Sequence, residues 1–345
     1  MSILTMPEII SRVVNDPDYQ FLREEPLSRN MILIGLGGSY AYGTNTETSD
    51  LDIRGVAMNT PIDILCGDDF EQVVEPATDT TIYSFDKIVK LLCSCNPITI
   101  EILGLEDWQY VRLSTIGKLL RQNRHMFLSR RAVYSFGGYA NAQLRRLENK
   151  AARTVGQAQQ EAYILRSIEH AKEDFKSKYL SDIMGGIKLY IDKATNSELE
   201  EEIYMDADIK HFPLRDYVGL WNAMNTIVKD YNRIGKRNEK AIAHNKLGKH
   251  MMHLVRLYLM CFDILEKEEI RTYRAEDHDF LMSIRNGAYL NEEGQPTEEF
   301  YDIVDEYEKR LSYAAENTSL PDNIDRKRVK EFVASMNGMA LRGEI

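Results

Sequence analysis

Apolar positions change their spacing about a third of the way along this chain. Before residue 112 they come in short runs that glycine or proline ends; beyond it they recur at helical intervals. Met31–Gly37, MILIGLG, is apolar throughout and stops at glycines, as a buried strand does. Asp50–Met58, DLDIRGVAM, opens with the polar–apolar alternation of a half-buried strand. Glu71–Glu75 and Thr80–Tyr83 read as two further strands joined at Pro76-Ala77-Thr78. Ser84 stands where it can cap a helix whose Phe85, Ile88, Val89 and Leu92 share one face, and Asn96-Pro97 ends that helix. Farther on, the spacing predicts helices near 115–128, 132–150, 158–178, 214–232, 244–267 and 297–317. The last sets Phe300, Ile303, Val304, Tyr307 and Leu311 on one side. The expected class is α+β, with a small mixed sheet in a first domain over residues 1–110 and a mostly α-helical domain over 111–345.

Composition narrows the setting. A chain of 345 residues with 43% hydrophobic and 28% charged positions fits an ordinary globular protein of two domains. Its start, MSILTMPEII, has none of the marks of a signal peptide. The most apolar stretch, His253–Leu265, is broken by Arg256 and Asp263, so no membrane span is expected. Cys66, Cys93, Cys95 and Cys261 lack zinc spacing and read as reduced thiols, which points to the cytoplasm. A formal net charge of −11 argues against sequence-independent binding to duplexes, although a local basic strip is compatible with it. The acidic run Glu198–Asp208 reads as a solvated surface segment.

Chemistry concentrates in Gly35–Gly55, GLGGSYAYGTNTETSDLDIRG. Asp50 and Asp52 are two apart on an expected strand, so both side chains project from one face. Two carboxylates there need a cation, and magnesium takes such oxygen ligands together with substrate phosphates. The plain alternative is an exposed strand edge. Upstream, Gly37-Gly38-Ser39 follows an apolar strand, where a turn without Cβ atoms lets backbone N–H groups approach a phosphate. A dinucleotide fingerprint is excluded because its third glycine falls on Tyr40, and no P-loop pattern occurs. Tyr40 and Tyr42 flank the turn, either to stack on a base or sugar or to pack behind it.

Taken together, apolar strand, Gly-Gly-Ser, Tyr-Gly-Thr and Ser-Asp-Leu-Asp resemble the signature of the DNA polymerase beta-like nucleotidyltransferase superfamily. More faintly, GSYAYGTNTETSDLDIRGV, NPITIEIL and GKHMMHLVRL resemble predicted nucleotidyltransferases of bacteria and phages. The resemblance implies that Gly38 and Ser39 hold a triphosphate and that Asp50 and Asp52 bind two Mg2+ ions, for which Mn2+ can substitute. It also implies a third carboxylate on a neighbouring strand. Asp79 is the choice, as metal ligand and base, with Glu71 and Glu75 as rivals.

Lys246, Lys249, His253 and Arg256 follow one another at helical spacing, so they share one face of the expected 244–267 helix. They read either as triphosphate ligands facing Ser39, Asp50 and Asp52 across a cleft, or as a solvated strip. A second set, Arg121, Arg124, Arg130, Arg131, Arg145, Arg146 and Lys150, reads as surface charge, with contact to a nucleic-acid acceptor as the alternative. The expected activity is magnesium-dependent transfer of a nucleoside monophosphate from an NTP to an acceptor hydroxyl, with pyrophosphate leaving. An RNA or tRNA 3′ end, a protein hydroxyl and a small molecule are the acceptors in play, and a non-catalytic nucleotide-binding module is the competing class.

Overall fold

A computed structural model describes residues 3–152, 187–193, 201–207 and 247–345, together with Arg166 and scattered positions between 214 and 225. The chain forms two compact units. The first holds Met1–Phe136, Arg256–Met282 and Tyr307–Ile345; the second holds Gly137–Val255 and Ser283–Glu306.

The first unit is built on a five-stranded sheet of order β3-β4-β2-β1-β5. Its strands are β1 (Met31–Leu36), β2 (Ile53–Ala57), β3 (Gln72–Glu75), β4 (Thr80–Ser84) and β5 (Tyr110–Leu113). β2 runs parallel to β4 and antiparallel to β1, which makes the sheet mixed. All six residues of β1 are buried, because this strand lies inside the sheet and is covered on both faces. Ile32, Leu33, Ile53, Val56 and Ile82 are fully buried, and Phe85, Ile88, Ile116 and Leu120 on the flanking helices close over them. Helix α1 (Met6–Asn15) precedes the sheet, and the five-residue α2 (Gly38–Tyr42) follows β1 directly. After α3 (Pro61–Cys66) and the β3–β4 hairpin comes α4 (Phe85–Leu92), capped as its sequence suggests by Ser84 Oγ, which accepts from Lys87 N at 3.0 Å. Helix α5 is Thr115–Gln122, and α6, Arg131–Ala152, begins in this unit.

Helix α7 spans Leu247–Lys267, α8 His278–Arg285, α9 Glu298–Asn317 and α10 Arg326–Leu341. Phe332 of α10 meets Phe85 of α4 with ring centroids 6.4 Å apart. In the second unit, Ile187–Lys193 and Glu201–Ala207 pair as an antiparallel hairpin, so part of the acidic run 198–208 is a strand. Arg166 there lies 3.7 Å from the Tyr301 ring centroid and pairs with Glu298 at 3.1 Å. Most of the expected helices 158–178 and 214–232 lies outside the described residues. Among the described residues, no helix is long and apolar enough to cross a membrane.

Two differences from the sequence expectation concern where elements begin and end. Asp50 and Asp52 precede β2 instead of lying within it, because β1 ends at Leu36 opposite Ile53 and the chain turns away at Gly38. One further bond, from Gly37 N–H to the Asp52 carbonyl at 2.8 Å, carries the pairing just past the strand end. Cys93 and Cys95 also lie beyond their helix, which closes at Leu92, and Cys95 takes a positive φ of 51°.

Candidate active site

The turn between β1 and α2 is shaped around Asp52. Gly38 has φ 51°, a left-handed conformation that costs little only without a Cβ. A Cβ built there would lie 1.8 Å from Asp52 Oδ2, so glycine supplies both the conformation and the space in which the carboxylate sits. Beside it, a Cβ on Gly37 would meet the Asp52 Cβ at 3.2 Å. Ser39 is half-buried on α2, and its carbonyl accepts from Thr44 N at 2.9 Å. Asp50 is exposed, two residues ahead of Asp52.

β2 and β4 run in parallel with Ile53 opposite Thr80, which brings Asp79 alongside Asp52. Asp79 ends the short Pro76–Thr78 turn in a left-handed conformation, φ 44° and ψ 42°. Arg54 joins the two carboxylates: its Nη2 lies 3.5 Å from Asp52 Oδ1 and 3.5 Å from Asp79 Oδ1. Burial, then hydrogen bonding to Asp79 and the negative charge of Asp79, push the Asp52 carboxyl up to about 7 against the pull of Arg54. The rival carboxylates are engaged elsewhere. Glu71 pairs with Lys87 at 3.2 Å, and Glu75 Oε1 accepts from Ala77 N at 3.1 Å.

Behind the turn lies a buried cluster. Tyr42, at the end of α2, donates from its hydroxyl to Glu101 Oε2 at 2.5 Å. The Arg256 guanidinium carbon stands 3.4 Å from the centroid of the Tyr42 ring. Glu101 is only 7% exposed, and burial raises its pKa, opposed by the charge of Arg256 and by the Tyr42 hydrogen bond. Burial, followed by the charge of Glu101, raises the Tyr42 phenol as well. Neighbouring segments hold α2 from its far end. Gln109 Nε2 donates to the carbonyls of Tyr40 and Ala41 at 3.2 and 2.8 Å, and Arg274 N donates to the Tyr42 carbonyl at 3.2 Å. Arg274 is itself anchored by Asp263 of α7 at 2.6 Å.

The structure therefore gathers Gly38, Asp52 and Asp79 with Arg54 at the mouth of β2, and it stations Tyr42, Glu101 and Arg256 beneath the same turn. Of the two readings of Tyr40 and Tyr42, packing behind the turn is the one observed: they are 6% and 1% exposed. The cationic row on α7 meets three environments. Lys249 is exposed, His253 packs edge-on against Tyr139 with centroids 6.1 Å apart, and Arg256 is buried. Lys246 lies outside the described residues. Of the second cationic set, Arg121 pairs with Asp107 and Arg130 with Asp322.

Arg54 and Glu101 were missed as site residues. Both stand inside motifs that carry the family resemblance, the first directly after Asp-Leu-Asp-Ile and the second in NPITIEIL, and that position was the available signal. A glutamate in the mostly apolar ITIEIL run has to find a buried partner or an anionic role.

Oxygen donors brought together as like charges suit a hard divalent cation, and Asp52 beside Asp79 is such a pair. Among the described residues, no three His, Cys, Asp or Glu side chains cluster closely enough to hold a metal ion by themselves. Magnesium is commonly held by one or two carboxylates with substrate phosphates completing its shell, so the pair is compatible with it.

Residues 19–173, which include every residue from the Gly-Gly-Ser turn to Glu101, match the RNA repair pathway DNA polymerase beta family. Over 329 residues, 86% of this chain and 94% of the other, the chain is 22% identical to an uncharacterized 38.9 kDa protein of the nrdC-mobD intergenic region of Enterobacteria phage T4. No solved structure matches.

Proposed function

We propose, from the match of residues 19–173 to the RNA repair pathway DNA polymerase beta family, that this chain transfers a nucleoside monophosphate from an NTP to an acceptor hydroxyl with release of pyrophosphate. The observation that carries the reading is the fit of the glycine turn around Asp52, where a Cβ at Gly38 would stand 1.8 Å from the carboxylate oxygen. In a transferase of this kind the triphosphate and the metal-binding carboxylate have to share one small volume, and a turn without Cβ atoms permits that.

Asp50, Asp52 and Asp79 would hold Mg2+, with Asp52 and Asp79 already side by side. Bound magnesium would neutralise charge on the attacking and leaving oxygens. Gly38 and Ser39 orient the triphosphate through backbone N–H groups and a hydroxyl. Asp79, with its side chain 60% exposed, is positioned to accept the proton of the acceptor hydroxyl. Arg256 acts from below, its charge balancing Glu101 while its guanidinium supports Tyr42 and so the turn.

The family's description as part of an RNA repair pathway favours an RNA 3′ end as acceptor. The net charge of −11 favours a protein hydroxyl instead. Incubation with each α-phosphate-labelled NTP, magnesium and cell extract distinguishes them. Label recovered in RNA and sensitive to RNase supports the first, and label in protein replaces it with the second. Label in neither fraction, nor in small molecules, removes the transferase reading.

A further inference from the structure

Arg54 leaves β2 two residues after Asp52, opposite Thr81 of β4 and Gly35 of β1. Its aliphatic stem passes the glycine turn, where a Cβ on Gly37 would come within 3.0 Å of Arg54 Cγ. The guanidinium then reaches the Asp79 corner. Nη1 donates to the Asp79 carbonyl at 2.6 Å and to the Ile53 carbonyl at 3.0 Å, while Nη2 faces Oδ1 of Asp79 and of Asp52, each at 3.5 Å. The short bond therefore falls on the Asp79 backbone, and the carboxylates receive only long contacts.

That division matters because Asp79 adopts a left-handed conformation, which a side chain other than glycine holds only where its surroundings impose it. The Asp79 carbonyl takes a second bond, from Ile53 N at 3.3 Å. With its backbone tied to β2 and its side chain 60% exposed, Asp79 keeps its carboxylate directed toward Asp52 yet open to another partner. Arg54, with its side chain only 16% exposed, is walled in by strand and turn and has little freedom to leave.

We propose that Arg54 is the positioning residue of this carboxylate pair: its guanidinium fork fixes the turn at Asp79, so that the Asp79 carboxylate is held beside Asp52 in readiness for a shared cation. This rests on the metal-binding reading above. The role needs a planar fork that spans a backbone carbonyl and two carboxylates at once. A lysine ammonium is a single point charge and cannot reproduce it.

The test measures Mn2+ binding, by the electron paramagnetic resonance signal of the free ion, in wild type, R54K, D79N, R54K/D79N and D52N. Thermal melts confirm folding. R54K keeps the charge and should weaken Mn2+ binding on the order of 10–100-fold, the range for residues that orient metal ligands. In transfer assays R54K should lower kcat and leave KM for the NTP unchanged. In the D79N background, R54K should have no further effect on Mn2+ affinity. Wild-type Mn2+ binding by R54K overturns the proposal, as does an equally large R54K effect in the D79N background. Retained Mn2+ binding by D52N overturns the metal reading and the Arg54 role with it. That result is read on a different variant, so the two failures remain distinguishable.

Discussion

Replacing Gly38 by alanine tests the glycine turn where it meets Asp52. Two costs follow from the geometry. The positive φ of 51° disfavours any side chain by about 1–2 kcal/mol. The new methyl would also lie 1.8 Å from Asp52 Oδ2, whereas non-bonded atoms settle at about 3.5 Å, so the carboxylate has to retreat by roughly 1.5 Å. Retreat is possible because the Asp52 side chain is 19% exposed, which limits the total loss of stability to about 1–3 kcal/mol. That is a fraction of the stability of an ordinary domain, so G38A should stay folded. Activity should fall far more, since a displacement of about 1 Å in a reacting constellation costs on the order of 100-fold. Urea titration and pyrophosphate release on the same preparations separate the two effects. The double variant sharpens them: with Asp52 truncated to alanine the clash disappears, so G38A should then cost only its backbone strain. Wild-type turnover in G38A, or stability losses that simply add in the double variant, would refute the reasoning.

The other predictions are these. Because the folded pKa of Glu101 is raised, its contribution is fully present below the ordinary value of 4.5 and is lost as pH rises through the folded value. Stability should therefore fall above about pH 4.5, by at most about 1.4 kcal/mol per pH unit from this group, and E101Q should remove that part of the slope in urea titrations. R256A leaves Glu101 without its balancing charge and should destabilise by about 3–5 kcal/mol, with much of the loss recovered in R256A/E101Q; equal losses in the two variants would exclude the pairing. D79N should abolish transfer while E75Q leaves it intact, and the reverse outcome would move the third carboxylate to β3.

Local patterns were the legible part of this fold. The strand Met31–Leu36, its glycine stop, the Ser84 cap and the helices from 247 and 298 each rest on a few neighbouring residues whose spacing states their structure. The Asp52–Asp79 juxtaposition was half legible, because two adjacent strands could be expected but not their parallel register. β5 escaped notice since its four residues, YVRL, show too little alternation, and they are recognisable only once β1 lies beside them. Helix α10 was hidden by a weak apolar stripe, with Val329, Met336 and Ala340 as its buried residues. Arg256 illustrates the general limit. Helical spacing set it in a row with Lys249 and His253, yet its partners Tyr42 and Glu101 come from distant parts of the chain, and no local pattern announces them.

The central claim is that Asp50 and Asp52 carry magnesium-dependent nucleotidyl transfer, and its most direct measurement is pyrophosphate release from NTP by wild type, D50N and D52N in the presence of Mg2+ and the labelled acceptor fraction. Both variants should keep the far-ultraviolet circular dichroism of the wild type and lose transfer on the order of 1,000-fold or more. Transfer by folded D52N at a tenth of the wild-type rate would contradict the account.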